Sequence, residues 1–481
     1  MSKKVAIVGA GVGGLAVASR LAHRGYNVEV FERLPECGGR AHIIEDRGFK
    51  FDTGPSFVLM PDFFEEIFSY CHKDIKDYLR FVPLDTHYRI FYPDGDTLTV
   101  YKDTERTKQE LCRLEPRSAS SYDKFIQEIG ELYRRVRPLL YSCFAKKDLL
   151  NPSLWSLATQ LKIHKSYWQI AEKYFKNKKI CYALTFEAMF IGVSPFRTPS
   201  FYSIITYVDH VQKIYHPLGG MYEIPRALEK IAQEFGVIFH YRQEVKKISV
   251  SNHSIILKTK RGECAADRVV VNADYAYALK ELLKRKLPKF TYSCSVYLLY
   301  LGLKSKLKGF EHHNLFFSRD LRKNLQQIFD DGIVPQEPSF YVHVPTVTDP
   351  SLAPSGKDIA YILIPVPNLK KFRGSFSSVE AQLRKVVIDA ICQATGQNLE
   401  DLIEVEHRFY PEDFIKRYNV QYGATFGLAH TFMQSAFFRP PNFDGKQKNL
   451  YFAGASTQPG GGLPPVIASS RIVADLIERR T

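Results

Sequence analysis

The stretch from Lys4 to Glu32 constrains this chain more than any other. Lys4 to Val8 is a short, largely β-branched run that fits a buried parallel strand, and it leads directly into Gly9-Ala10-Gly11-Val12-Gly13-Gly14. Residues 15–24 then place apolar groups at helical spacing with no proline, and Gly25 stands where a helix would end on a left-handed residue. Asn27 to Phe31 reads as a second strand, closed by Glu32. The pattern is strand, glycine turn, helix, strand, with G-x-G-x-x-G at the first turn and an acid close to the roughly 20 residues downstream expected of a dinucleotide-binding unit. Each glycine has a task in such a unit: Gly9 makes the tight turn, Gly11 lets backbone amides approach a pyrophosphate, and Gly14 lets helix and strand pack closely. Glu32 would accept hydrogen bonds from an adenosine ribose.

The rest of the chain is that of a large globular protein. Of its 481 residues, 45% are hydrophobic and 24% charged, which excludes disorder, a collagen-like fibre and a disulfide miniprotein. No stretch approaches the ~18 apolar residues that a membrane span needs, and the first residues run straight into the strand, so neither a transmembrane helix nor a cleavable signal peptide is expected. Eight cysteines without a C-x-x-C pair read as reduced core thiols of a cytosolic protein.

The net charge of +15 calls for an anionic partner, either nucleic acid or an anionic membrane surface. Residues 102–179 hold 17 Lys and Arg against 9 Asp and Glu, together with both tryptophans, Trp155 and Trp168. Within this segment, residues 133–144 and 149–175 mix apolar groups with Arg134, Arg135, Arg137, Lys146, Lys147, Lys162 and Lys165. Basic amphipathic helices with Trp suit a membrane surface, where each cation contributes about 1 kcal/mol near anionic lipid. No nucleic-acid-binding module accompanies the charge, so a nucleic-acid partner is not expected.

Three further motifs narrow the class. Glu32-Arg33 is followed after four residues by Gly38-Gly39-Arg40, and then by Phe51-Asp52-Thr53-Gly54-Pro55-Ser56-Phe57. Pro217-Leu218-Gly219-Gly220-Met221 opens a helical stretch that runs to Phe235, with strand candidates at 237–241, 244–250, 255–259 and 267–274 behind it. Near the end, Leu450-Tyr451-Phe452 delivers Gly454 and a loop carrying Gly460-Gly461-Gly462, which opens a helix at Pro464-Pro465. In these motifs the chain resembles the bacterial-type phytoene desaturases and their C30 relatives, the diapophytoene desaturases, within the amine-oxidase-like flavoprotein superfamily. It departs from the family pattern at Gln458, where His is commoner, and at Pro465, where Gly is commoner, which leaves the substrate and product open.

The resemblance implies an α/β fold with a discontinuous Rossmann-like FAD-binding domain at residues 1–85, 217–290 and 445–481. It further implies a β-rich substrate domain at 86–103, 208–216 and 291–444, and a helical, membrane-associating cap at 104–207. FAD would be held by Gly9, Gly11, Gly14 and Glu32 with Arg33, by Gly39 and Arg40 against its phosphates, by Gly54 and Pro55, by the backbone of Val245 at the adenine, and by Gly454 and Val466. The helix opening beside Val466 would point its positive end at the flavin pyrimidine. The implied activity is hydride removal from phytoene or diapophytoene, a lipophilic polyene, with reduced flavin passing electrons to oxygen or a quinone at the surface of the cell membrane. Other readings on the same frame are a carotenoid isomerase, a polyene saturase, a late-pathway desaturase or end-group oxidase, and a non-enzymatic prenyl-binding escort.

No acid–base constellation stands out. Positive charge developing on an allylic chain is delocalised, so a strong general base is not required. Asp209 and His210, and Glu412 and Asp413, are expected to face solvent or cap turns.

Overall fold

The computed structural model describes residues 3–145, 148, 150–250 and 254–480. Lys146, Lys147 and Leu149 of the basic segment lie outside the described residues.

The strand Lys4–Val8 sits at the centre of a five-stranded parallel sheet ordered 450–452, 268–271, 4–8, 27–31, 238–240. Its two faces enter different cores, as the period of two requires. Val5 and Ile7 pack with the helices Val12–His23, Glu223–Glu234 and Leu463–Arg479, whereas Ala6 and Val8 face a three-stranded antiparallel sheet at 245–250, 255–259 and 262–266. Inside the first layer, wholly buried Arg20 donates from Nε to Ser470 Oγ (3.0 Å) and pairs with Glu66, so one guanidinium joins three helices.

A second, seven-stranded sheet runs 403–409, 295–303, 358–366, 340–343, 313–316, 86–91, 97–101, antiparallel except where 313–316 meets 86–91. Its central strand Ser295–Leu303 is buried along its whole length. Tyr297, Leu299, Leu301 and Leu303 pack on the side of the helix Glu380–Thr395, through Leu383, Val387, Ile388 and Ile391. Val296, Leu298 and Tyr300 face the opposite way, into an aromatic core shared with the helical segment.

That helical segment differs from the basic membrane face read from the sequence. The helix Ser118–Val136 buries Tyr122, Phe125, Ile129, Leu132, Tyr133 and Val136 at helical spacing, so its apolar face is used inside the protein. Glu128 takes both Lys162 and Lys173, Arg137 pairs with Asp62, and Lys179 pairs with Asp94 and Asp96. Much of the local positive charge is therefore answered by the protein's own carboxylates. Trp168 is a core residue packed against Tyr182 and Phe196, while Trp155 is 53% exposed.

Two distant motifs meet at Asp52. Its carboxylate closes the strand Phe49–Asp52 and accepts from the amides of Met221 (2.8 Å) and Tyr222 (3.1 Å), which open the helix Glu223–Glu234. Gly220, at φ +97°, is required here because a Cβ would stand 2.9 Å from Asp52 Oδ2. Burial pushes the Asp52 carboxyl up to about 7 against the pull of the two amide donors. A folded-state value above the unfolded 3.8 means that the folded protein holds the proton longer, so this group's contribution to stability falls as pH rises from about 4 to 7. Asp52→Asn is expected to flatten that part of the stability–pH curve in urea titrations, and Asp52→Ala to cost about 1–3 kcal/mol by leaving two buried amides unpaired.

Candidate active site

Two cavities meet in the middle of the molecule. The first, about 320 Å³, lies along the C-terminal ends of the parallel strands. Of the residues expected from the sequence to hold a cofactor, Gly9, Gly11, Glu32, Arg33, Gly39, Arg40, Gly54, Pro55, Val245, Gly454 and Val466 all line it. Gly14 does not. It lies beneath the floor, where a Cβ would stand 2.1 Å from the Gly9 carbonyl oxygen, so its service is the close approach of helix to turn.

The polar end of this cavity is built by Glu32, which is buried and fixed. Its Oε2 accepts from the Ala10 amide and its Oε1 from the Leu34 amide, each at 2.8 Å, and burial raises its carboxyl above the usual range. A carboxylate has about four acceptor sites, so lone pairs remain for hydroxyl donors in the cavity. Opposite, Gly38 N donates to Ala10 O (2.8 Å), seating the Gly38-Gly39-Arg40 turn against the first glycine loop. Gly54 seats the next motif in the same way, since a Cβ there would stand 2.0 Å from Arg40 O. The Arg40 guanidinium donates to Thr425 O (2.6 Å) and feels the Asp274 carboxylate, while burial lowers its pKa.

Asn272 was not singled out by sequence reasoning, because VNAD reads only as the end of a strand. Its side chain sits under the whole glycine floor: with the amide oriented so that nitrogen donates to Ala453 O (3.2 Å), its oxygen accepts from Gly14 N (2.8 Å). Only the surrounding glycines leave it room.

The second cavity, about 300 Å³, is almost wholly apolar, with Phe57, Leu59, Phe186, Met189, Phe190, Val296 and Leu363 among its walls. It shares Phe190, Ile191, Val296, Phe426, His430 and the turn Gly461-Gly462-Leu463 with the first, so the two are continuous at the N-terminus of the helix Leu463–Arg479. Buried His430, also missed from the sequence, accepts from Gly461 N at Nε2 (3.0 Å), and burial holds its ring well below the usual imidazole value. A third cavity, about 150 Å³ and lined by Trp155, Phe432 and Phe438, shares Leu140, Tyr202, Ile204 and Pro459 with the second.

Gln458 ties this region to the helical segment. Its Oε1 accepts from Phe144 N (2.7 Å), and its Nε2 donates to Phe144 O (3.1 Å) and Arg439 O (3.1 Å). Asp209 and His210 depart from expectation. Both are buried, with Glu187 and His87, behind the cavity wall formed by Thr185, Phe186 and Val208. A π-helical turn, Val208–Gln212, turns them inward, where Tyr88 and Tyr122 hydroxyls meet the two His210 nitrogens at 2.8 Å each. Burial and the neighbouring Asp209 raise Glu187 well above the carboxylate range, and burial lowers His210 to about 4. None of the four lines any of these three cavities. Asp413, by contrast, caps a turn as read, accepting from Tyr410 N (2.8 Å).

Residues 12–478 match the family described as flavin containing amine oxidoreductase. The chain is 38% identical to a zeta-carotene-forming phytoene desaturase of Myxococcus xanthus over 98% of this chain and 93% of that protein. It is 34% identical to a 4,4'-diapolycopene-forming 4,4'-diapophytoene desaturase of Methylomonas sp, over 100% and 96%. Among solved structures it superposes on a triple mutant of putrescine oxidase with a TM-score of 0.66, at 15% identity, over 100% of this chain and 99% of that one. At that identity the likeness speaks for the fold.

The close approach at Gly14 makes a direct test of the floor. Gly14→Ala is expected to purify with its flavin-to-protein absorbance ratio reduced at least tenfold and with stability lowered by about 1–3 kcal/mol; an unchanged ratio would contradict the reading of the floor.

Proposed function

Because the chain belongs to the flavin containing amine oxidoreductase family, we propose that it is an FAD-dependent carotenoid desaturase that introduces conjugated double bonds into phytoene or diapophytoene. The observation that carries this reading is the continuity of the two cavities: a glycine-floored, polar-ended space opens at the N-terminus of a helix into a long apolar space. An apolar chamber beside a cofactor site suits a substrate with no polar handle.

FAD, when bound, supplies the hydride acceptor that no side chain can be. The cavity fits it on its own evidence: Glu32 keeps acceptor capacity for ribose hydroxyls, the loop at Gly9 to Gly13 and the turn at Gly39 bring backbone to a pyrophosphate without a Cβ in the way, and Arg40 stands by to counter its charge. Arg33, Gly54, Pro55, Val245, Gly454 and Val466 complete the wall in this assignment. The task of the remaining residues is to bind, align and dry the polyene. Phe57, Phe190 and Phe426 hold it at the junction, and the apolar walls exclude water that would quench developing positive charge. The junction holds no carboxylate among the described residues, and its one imidazole, His430, is engaged at Nε2 by Gly461 N; a proton lost from a delocalised cation needs no strong base there.

The division into an FAD domain at 1–85, 217–290 and 445–481, a substrate domain at 86–103, 208–216 and 291–444, and a cap at 104–207 is part of this reading. It is supported by the five-stranded sheet drawing every strand from the first set and the seven-stranded sheet from the second. Contact with a membrane surface belongs to it too. Its support has moved from charge to shape: Leu150, Trp155, Phe432, Met433 and Phe438 are all exposed, and the third cavity lies between Trp155, Phe432 and Phe438. A polyene dissolved in lipid would enter there and pass by Leu140 and Tyr202 to the second cavity. No helix among the described residues is long and apolar enough to cross a membrane, so the contact would be peripheral. Oxygen or a membrane quinone would take the electrons from reduced flavin.

Expression in bacteria that accumulate phytoene, in parallel with a diapophytoene-accumulating strain, tests the activity. Structured visible absorption bands in pigment extracts are expected from one strain or both, and their positions report substrate length and step count. Colourless extracts from soluble, FAD-loaded protein would move the assignment to an isomerase, saturase or late-pathway enzyme, and a protein that takes up no FAD would favour a prenyl-binding escort. For the membrane contact, the double variant Trp155→Asp, Met433→Asp is expected to lose at least tenfold in co-sedimentation with anionic vesicles while keeping its FAD; undiminished binding would refute the entry surface.

A further inference from the structure

Outside both cavities, three buried histidines converge beside the paired strands 313–316 and 340–343 of the seven-stranded sheet. His216 lies on the strand Tyr215–Pro217, His312 just precedes the strand His313–Phe316, and His343 ends the strand Phe340–His343 that pairs with it. Each offers a nitrogen, and these nitrogens lie within 4.8 Å of one another. None of the three side chains is more than 2% exposed.

Hydrogen bonding accounts for only part of the cluster. His312 Nδ1 meets Thr348 Oγ1 at 2.7 Å, which turns its Nε2 inward to within 3.0 Å of His343 Nε2. His216 has no such settlement: neither of its ring nitrogens makes a hydrogen bond, so the one without a proton has a lone pair to offer. Asp349 Oδ2 stands 3.5 Å from His216 Nε2, and is itself fixed by Gly219 N (2.6 Å) while the other oxygen takes Ser351 Oγ (2.6 Å).

We propose that His216, His312 and His343 bind a zinc ion, with Asp349 as the nearest carboxylate for the fourth position. Imidazoles and a carboxylate are the donors of tetrahedral zinc, and ligand atoms at about 2.0–2.1 Å from the ion stand roughly 3.3 Å apart. The 3.0 Å and 3.5 Å separations bracket that value, so part of the polyhedron is already in place. An ion would take the lone pair of one His216 ring nitrogen, and the outer bond from His312 to Thr348 orients its ligand as second partners of metal-bound histidine do. The ion would rivet the strand that leads into the Pro217-Leu218-Gly219-Gly220 turn to the ends of two interior strands of the seven-stranded sheet, 313–316 and 340–343. Its neighbour His313 stacks on Phe57, a wall of the apolar cavity, at 3.9 Å, so the site would also steady that wall.

Elemental analysis of the full, FAD-loaded, tag-free chain, expressed with zinc and dialysed against metal-free buffer, tests this. Close to one zinc per chain is expected, and His216→Gln and His343→Gln are expected to keep the wild-type flavin-to-protein ratio while losing the zinc. Stripping the wild type with a chelator and restoring zinc at about a hundred times its dissociation constant is expected to raise Tm by about 3 °C, an effect that magnesium does not reproduce. Substoichiometric zinc in the wild type, unchanged zinc in both variants, or a stripped protein whose Tm ignores zinc would overturn the proposal. The strip-and-restore arm holds even where a variant fails to fold. Pigment formation is read separately, so an active but zinc-free chain would sink the metal site and leave the desaturase reading standing.

Discussion

Five glycines from opposite ends of the chain owe their place to one residue. Asn272 comes within 3.1 Å of where a Cβ would sit on Gly9, Gly11, Gly13, Gly14 and Gly454, through its side-chain amide in four cases and its carbonyl at Gly9. The amide links the Gly14 nitrogen to the Ala453 carbonyl, so the helix that follows the first strand and the loop that follows the last are held to a common point. A methyl group on any of the five would push apart elements that must stay close for a flat cofactor to lie against backbone rather than side chains. The parallel order of the strands at 268–271, 4–8 and 450–452 brings all these groups to the same edge, where unpaired amides and the helix N-terminus add a positive field.

From that edge the environment changes sharply along one line. Carboxylates occur at the Glu32 end and beside Arg40, where Asp274 accepts from Tyr277 N (3.1 Å). Past the junction at His430 the walls are aromatic and aliphatic. Charge separation in a hydride transfer is favoured where counter-dipoles are fixed and water is absent, and the two conditions are met on opposite sides of one boundary. The polar cluster behind the apolar wall does not line it: burial and Asp209 push Glu187 well above the carboxylate range, and the hydroxyls of Tyr88 and Tyr122 occupy both His210 nitrogens.

The local motifs were legible because their chemistry is local. The glycine turn, Glu32 and the strands around it follow from spacing within thirty residues, and the turn at Gly38 announces itself by two adjacent glycines. The meaning of Asp52 was hidden, since its partners Met221 and Tyr222 are far away in sequence and only the folded chain shows that one motif caps the helix of the other. Asp209 and His210 misled for a related reason: polar residues beside aromatics usually face water, and only the π-helical turn points both inward. A charge sum over the helical segment leaves out the carboxylates that reach it from elsewhere, such as Asp62, Asp94 and Asp96. Phe432 and Met433 were invisible, as single apolar residues in a loop look like core until their exposure is known.

The exposed apolar patch and the cavity junction are mechanically joined through the loop between Ala453 and Leu463. Gln458 clamps Phe144 of the helical segment by two hydrogen bonds through its backbone, and three residues later Gly461 donates to His430 at the cavity junction. Phe144 itself packs on Phe437, next to exposed Phe438, so the surface patch, the third cavity and the helix N-terminus share one continuous set of contacts. A displacement of the helical segment at the surface would therefore be carried through Gln458 to the turn at Gly461, the place where the polar and apolar cavities meet. An imidazole at position 458 could not both accept from Phe144 N and donate to two carbonyls, so the amide couples the surface patch to the turn at the cavity junction more tightly than histidine would.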